Sequence, residues 1–123
     1  MRILCVDDDE DTRNLLKHLL GFSGLEAIAV QTTEAALLLI EKERFSLYII
    51  DGQLPGVSGL GLCEEIRRHD KKTPVIIFSG HGHVTDREAG MRAGANVYIV
   101  KPDIEKVVPA VKNLLKQEIA AAS

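Results

Sequence analysis

Leu47-Tyr48-Ile49-Ile50-Asp51-Gly52 is the stretch on which the fold turns: four apolar residues run straight into a carboxylate and a glycine. A run this short and apolar on both faces reads as a strand covered on both sides, as in parallel sheets. Arg2-Ile3-Leu4-Cys5-Val6 ends in the same way on Asp7-Asp8, and Val97-Tyr98-Ile99-Val100 ends on Lys101-Pro102. As parallel neighbours, these runs bring three carboxylates and one ammonium to the carboxyl edge of a sheet, where open α/β sheets bind ligands. Carboxylates that close repel one another unless a divalent cation offsets them, and hard oxygen ligands suit Mg²⁺. Carboxylates, metal and lysine around one point suit phosphoryl chemistry.

Outward from these runs the apolar pattern alternates between two periods. Residues 75–78 repeat the buried-strand pattern, and 26–30 carry a weaker one. Between the runs the period becomes helical. Leu15, Leu16, Leu19 and Leu20 fall on one predicted face, ended by Gly21 or Gly24. Thr32 or Thr33 can cap a second helix carrying Ala36, Leu39 and Ile40, and Ser58 a third with Leu62 and Ile66. Gly59 and Gly61 weaken the first turn of that third helix. A fourth, near 84–93, stops at Gly94, and a fifth spans about 104–119 with Ile104, Val107, Val108, Val111, Leu114, Leu115 and Ile119 on one stripe. Pro109 inside it predicts a kink or a tightened first turn. The order is β-α five times over, which with right-handed crossovers gives a parallel sheet covered by helices on both faces. The expectation is one domain over 1–123 with a frayed tail from about residue 120.

The chain has 123 residues, 46% hydrophobic and 27% charged, with a net charge of −3. The acidic balance, the lack of a Lys/Arg stripe and the absence of Trp argue against a nucleic-acid surface. No basic segment precedes a long apolar one, and no run is long enough to span a bilayer, so a soluble, cytoplasmic protein is expected. Cys5 and Cys63 read as buried free thiols of a reducing compartment.

Each chemical element has an ordinary reading when taken alone. The run Asp7-Asp8-Asp9-Glu10-Asp11 suits an acidic helix start, Asp51-Gly52 a turn, and Lys101-Pro102 an exposed loop. Their coincidence at three strand ends favours the metal-and-phosphate site. His81-Gly82-His83 lacks a third ligand and reads as a polar loop.

Val6-Asp7-Asp8 with Arg13, Asp51 followed by Leu54-Pro55-Gly56 and Gly59, Phe78-Ser79-Gly80, Ala93-Gly94-Ala95, and Tyr98 followed by Lys101-Pro102 stand in one order along the chain. In that order the sequence resembles the bacterial response-regulator receiver domain, the phosphoacceptor of two-component signalling, from Arg2 to about Leu115. The resemblance implies a flavodoxin-like (βα)5 fold with strand order 2-1-3-4-5. It implies Asp51 as phosphoacceptor, and Mg²⁺ held by Asp8, Asp51 and the Gln53 backbone carbonyl, with Asp7 acting through an intervening water. Lys101 and Ser79 are then partners of the phosphoryl oxygens, Tyr98 an aromatic that changes rotamer, and Lys101-Pro102 a cis peptide bond. Gln53 and His81 flank the phosphoryl group and tune its lifetime. The partners implied are a sensor histidine kinase or histidine phosphotransfer domain and a downstream protein target, with no nucleic acid or membrane bound by this domain. A receiver of this kind catalyses only its own phosphorylation and dephosphorylation, so it is not expected to be an enzyme in the ordinary sense.

Three positions depart from the usual receiver pattern. Gly52 follows the acceptor where an apolar residue is common, Ser79 replaces the more frequent Thr, and Gly80 stands where Ala is usual. The two glycines predict a compliant loop. Two other readings use the same residues: a small metal-dependent aspartyl phosphatase built on Asp7 and Asp9, and an interaction module that needs no phosphorylation. The start at Met1 leans toward a stand-alone regulator.

Overall fold

The computed structural model describes residues 2–56 and 58–122; the side chains of Ala121 and Ala122 and the whole of Ser123, at the end of the expected frayed tail, lie outside the described residues. Five strands, β1 (Arg2–Val6), β2 (Glu26–Val30), β3 (Leu47–Ile50), β4 (Val75–Ser79) and β5 (Val97–Val100), form one sheet in the order β2-β1-β3-β4-β5. All four pairings are parallel. The helices are α1 (Glu10–Phe22), α2 (Thr33–Lys42), α3 (Gly59–His69), α4 (Val84–Ala93) and α5 (Val107–Ala122). The fold is therefore the flavodoxin-like (βα)5 arrangement expected.

Alternation along the strands divides the core in two. Leu4, Val6, Tyr48, Ile50, Val75 and Ile77 face Ala36 of α2 and Leu62, Cys63 and Ile66 of α3. Ile3, Cys5, Leu47, Ile49, Ile76 and Phe78 face Leu16 and Leu20 of α1 and Val107, Val111 and Leu114 of α5. Both cysteines are buried and free, and burial pushes the Cys5 thiol up to about 12.

Local chemistry decides the helix ends. Thr32, not Thr33, caps α2 by accepting from the Ala35 N–H at 3.1 Å, and Ser58 caps α3 by accepting from Gly61 N–H at 3.1 Å. Helix α1 passes through Gly21 and stops after Phe22, with Gly24 at φ +78 beyond it. Gly94 closes α4 at φ +112. Around Pro109, Ile104–Lys106 winds as a 3₁₀ turn and the α-helix starts at Val107. The proline thus falls in the first turn of α5, where a missing N–H costs least.

Two expected core residues lie outside the core. Leu15 is 43% exposed because Leu16 and Leu20, one turn apart, already fill the contact of α1 with the sheet. Ile119 is 55% exposed, beyond Leu114 and Leu115, the last buried residues of α5 among the described side chains.

Candidate functional site

Strand polarity places the ends of β1, β3, β4 and β5 along one edge, and the register aligns them. Val6 pairs with Ile50, so Asp7 and Asp51 follow on adjacent strands; Ser79 pairs with Val100, so Lys101 follows beside it. Carboxylate oxygens of Asp7, Asp8 and Asp51 all lie within 4.8 Å of one another. Asp7 and Asp51 are buried, whereas Asp8 is exposed. The Lys101 ammonium reaches between the two buried acids, 2.9 Å from Asp7 Oδ2 and 3.4 Å from Asp51 Oδ2. It also lies 5.5 Å from the centre of the Phe78 ring, a cation–π distance.

Backbone N–H groups complete the carboxylate shells. Asp9 N–H donates to Asp7 Oδ1 at 2.9 Å and Gln53 N–H to Asp51 Oδ1 at 3.0 Å. Arg13 Nη1 donates to the Asp7 carbonyl at 2.9 Å, tying α1 to the end of β1. Burial raises the pKa of Asp51, and the negative charge of Asp7 adds to this; the Gln53 N–H and Lys101 oppose it. For Lys101, burial disfavours the ammonium, but its bonds and charge interactions with Asp7 and Asp51 outweigh that and raise its pKa. One ammonium thus faces three close carboxylates, and the oxygen-only donor set with one exposed member suits a hard divalent cation.

The acidic run separates into distinct tasks. Asp9 is the N-cap of α1, accepting from the Thr12 N–H at 3.0 Å and the Thr12 hydroxyl at 2.6 Å, and these bonds lower its pKa. Its carboxylate is thereby turned to the helix.

Around this pocket, Ser79 is buried at the end of β4, and its Oγ accepts a 3.3 Å bond from His81 N–H. The Gln53 and His81 side chains touch, joining the loop after β3 to the loop after β4. Tyr98 is half-buried, and its hydroxyl donates to the His81 carbonyl at 2.7 Å. The Lys101-Pro102 peptide bond is cis.

The glycines of this region are close-packed, contrary to the expectation of a compliant loop. A Cβ on Gly52 would lie 3.0 Å from Ser79 Oγ, and one on Gly80 would lie 3.2 Å from Gln53 Oε1. Gly59 is more demanding, since its Cβ would sit 1.8 Å from the Asp51 carbonyl oxygen. The sequence signal for this was an otherwise unhelpful glycine at the first position of a helix. Arg67 gave no such signal. Its guanidinium donates to the Gly94, Asp70 and Thr73 carbonyls and to Asn96 Oδ1, clamping the far end of α3 to the turn before β5.

The family model described as "Response regulator receiver domain" matches residues 3–112. The chain belongs to that family, whose members are phosphorylation-dependent switches of two-component systems. The probable transcriptional regulator ycf27 of Pyropia yezoensis is 36% identical over 117 residues, 94% of this chain and 48% of that protein. Response regulator MprA of Mycobacterium leprae is 30% identical over 118 residues, 95% of this chain and 52% of that protein. The chain spans about half the length of these curated relatives. Among solved structures, a CheY-like receiver domain protein from Methanospirillum hungatei superposes with a TM-score of 0.91 at 30% identity, covering 98% of this chain and 97% of that one. Response regulator TrrA of Thermotoga maritima, solved in complex with Mg²⁺ and BeF, gives 0.83 at 32% identity, covering 92% and 97%.

Proposed function

We propose that Asp51 accepts a phosphoryl group from a phosphohistidine of a sensor histidine kinase or histidine phosphotransfer domain. The observation that carries this reading is the Lys101 ammonium held between Asp7 and Asp51, with the Asp8 carboxylate beside them. An Asp51 carboxylate oxygen attacks phosphorus in line, the P–N bond breaks, and the imidazole leaves with the electron pair. The acyl phosphate is later cleaved by water, releasing inorganic phosphate and restoring the carboxylate.

Asp7, Asp8, Asp51 and the Gln53 backbone carbonyl are the residues that would hold Mg²⁺, which supplies positive charge where two anions must meet. Lys101 offsets charge on one phosphoryl oxygen. Ser79 donates its hydroxyl to another, and Tyr98 turns inward in response. Gln53 and His81, already in contact, stand over the group and set how readily water reaches it. The altered face, built from α4, β5 and α5, is read by a downstream protein. No external substrate is turned over, so the domain is a switch and not a conventional enzyme. Residues 1–123 act as one receiver domain at work in the cytoplasm, with no nucleic-acid or membrane contact of its own.

The aspartyl-phosphatase alternative is disfavoured by Asp9, whose carboxylate caps α1. Intact-mass spectrometry after incubation with acetyl phosphate tests the proposal. One phosphoryl group is expected with Mg²⁺, and none with chelator or in Asp51→Asn. Labelling that survives either change overturns it.

A further inference from the structure

Ile119 prolongs the apolar stripe of α5 and yet is 55% exposed, and the space beside it is an open groove of about 500 Å³. The groove runs along α5 from Pro109 past Leu115 to Ile119, and Leu25, in the turn between α1 and β2, lines its other side. Its volume falls within the range of small-molecule sites, whose walls are mostly apolar with a few convergent polar groups. Leu115 is buried and Leu25 half-buried, so the groove has a hydrocarbon floor.

Charge sets this groove apart from the other recesses of the surface. The larger cavity between α2 and α3 is lined by acids and bases together, and the recess beside Phe45 carries both Lys72 and Glu118. Along the α5 groove the charged residues of the lining are Lys112 and Lys116, with no acid among the described residues there. Both lysines are exposed, and neither takes part in an ion pair among the described residues. Four residues apart on one helix they are neighbours, and like charges at that spacing repel, which an anion held between them relieves. Lysine stems are apolar and lie along apolar surface while the ammonium stays in water. The pair therefore lengthens the hydrocarbon wall and presents two positive charges at its rim.

We propose that this groove binds an unbranched alkyl carboxylate of the fatty-acid class, its tail against Leu25, Leu115 and Ile119 and its carboxylate between Lys112 and Lys116. The site shares no residue with the cluster around Asp51 and is independent of the phosphoryl chemistry there.

The probe is octanoate, kept monomeric at neutral pH and titrated into ¹⁵N-labelled protein. Octylammonium, with the same tail and the opposite charge, and acetate, with the head alone, are the controls. Shifts are expected to cluster at residues 23–25 and 109–119, with octylammonium at least threefold weaker and acetate without effect there. The double variant Lys112→Gln, Lys116→Gln changes only exposed side chains, so the fold is kept, and it should bring octanoate and octylammonium within twofold of each other. Ile119→Ser, also at an exposed position, should weaken octanoate at least threefold. Shifts centred elsewhere, equal binding of the two octyl probes by the native chain, or full octanoate affinity in the lysine double variant would each overturn the assignment. So would shifts of the same residues on dilution without ligand, which would make a second copy of the chain the occupant.

Discussion

Gly59 and Asp51 are in such close contact that any side chain on the first would penetrate the main chain of the second: a Cβ at residue 59 falls 1.8 Å from the Asp51 carbonyl oxygen. The first turn of α3 is thus seated directly on the candidate phosphoacceptor, and the Ser58 cap fixes that turn. Position 59 must be glycine for α3 to pack there.

Gly59→Ala is accordingly expected to lose about 2–3 kcal/mol of stability, the upper range for overpacking against a backbone that cannot yield. Urea denaturation measures this. Gly61→Ala, in the same turn, is the control and should change stability by less than about 1 kcal/mol.

The raised pKa of Asp51 gives a pH dependence of definite sign. A carboxyl group that holds its proton more tightly when folded than when unfolded lowers stability as pH rises through its folded pKa. Metal-free Asp51→Asn should therefore melt above the native chain at neutral pH, and the gap should close in acid. A neutral-pH melting temperature at or below that of the native chain would contradict this.

Divalent cation should act in the same direction. In the native chain Mg²⁺ at a hundredfold excess over its dissociation constant adds about 2.7 kcal/mol by mass action. Scanning calorimetry with and without Mg²⁺ should show the rise, and Asp8→Asn should shift the required concentration upward.

Gln53 and His81 meet across the pocket from two loops. Replacing either with Ala opens that side, and the decay of phosphorylated protein is expected to change several-fold, about 1 kcal/mol in barrier. The time course of phosphate release checks it; unchanged rates in both variants would leave the pair as surface polar groups.

Arg67 clamps three backbone carbonyls and Asn96 with one planar group. Arg67→Lys should cost roughly 1–2 kcal/mol in urea denaturation, because an ammonium cannot reproduce the fork and part-buried carbonyls lose their donors. Full stability in that variant would show the clamp to be dispensable.

The sequence by itself determined the strands, the helices and their order, since a run such as Leu47–Ile50 has no other period to obey and Ser58 is a local cap. It also put Asp7, Asp8, Asp51 and Lys101 at strand ends, because side-chain chemistry changes abruptly there. What lay beyond its reach depends on contacts between elements distant in the chain. Gly52 and Gly80 looked like looseness until Ser79 and Gln53 proved to fill the space beside them. Leu15 matched the helical stripe, yet Leu16 and Leu20 alone face the sheet fully, because the docking angle of α1 is set by packing and not by period. Arg67 is a tertiary fact of the same kind: it joins segments that are adjacent only once the sheet has formed. Local propensity and hydrophobic period are written residue by residue, whereas close approach is decided by how the layers pack.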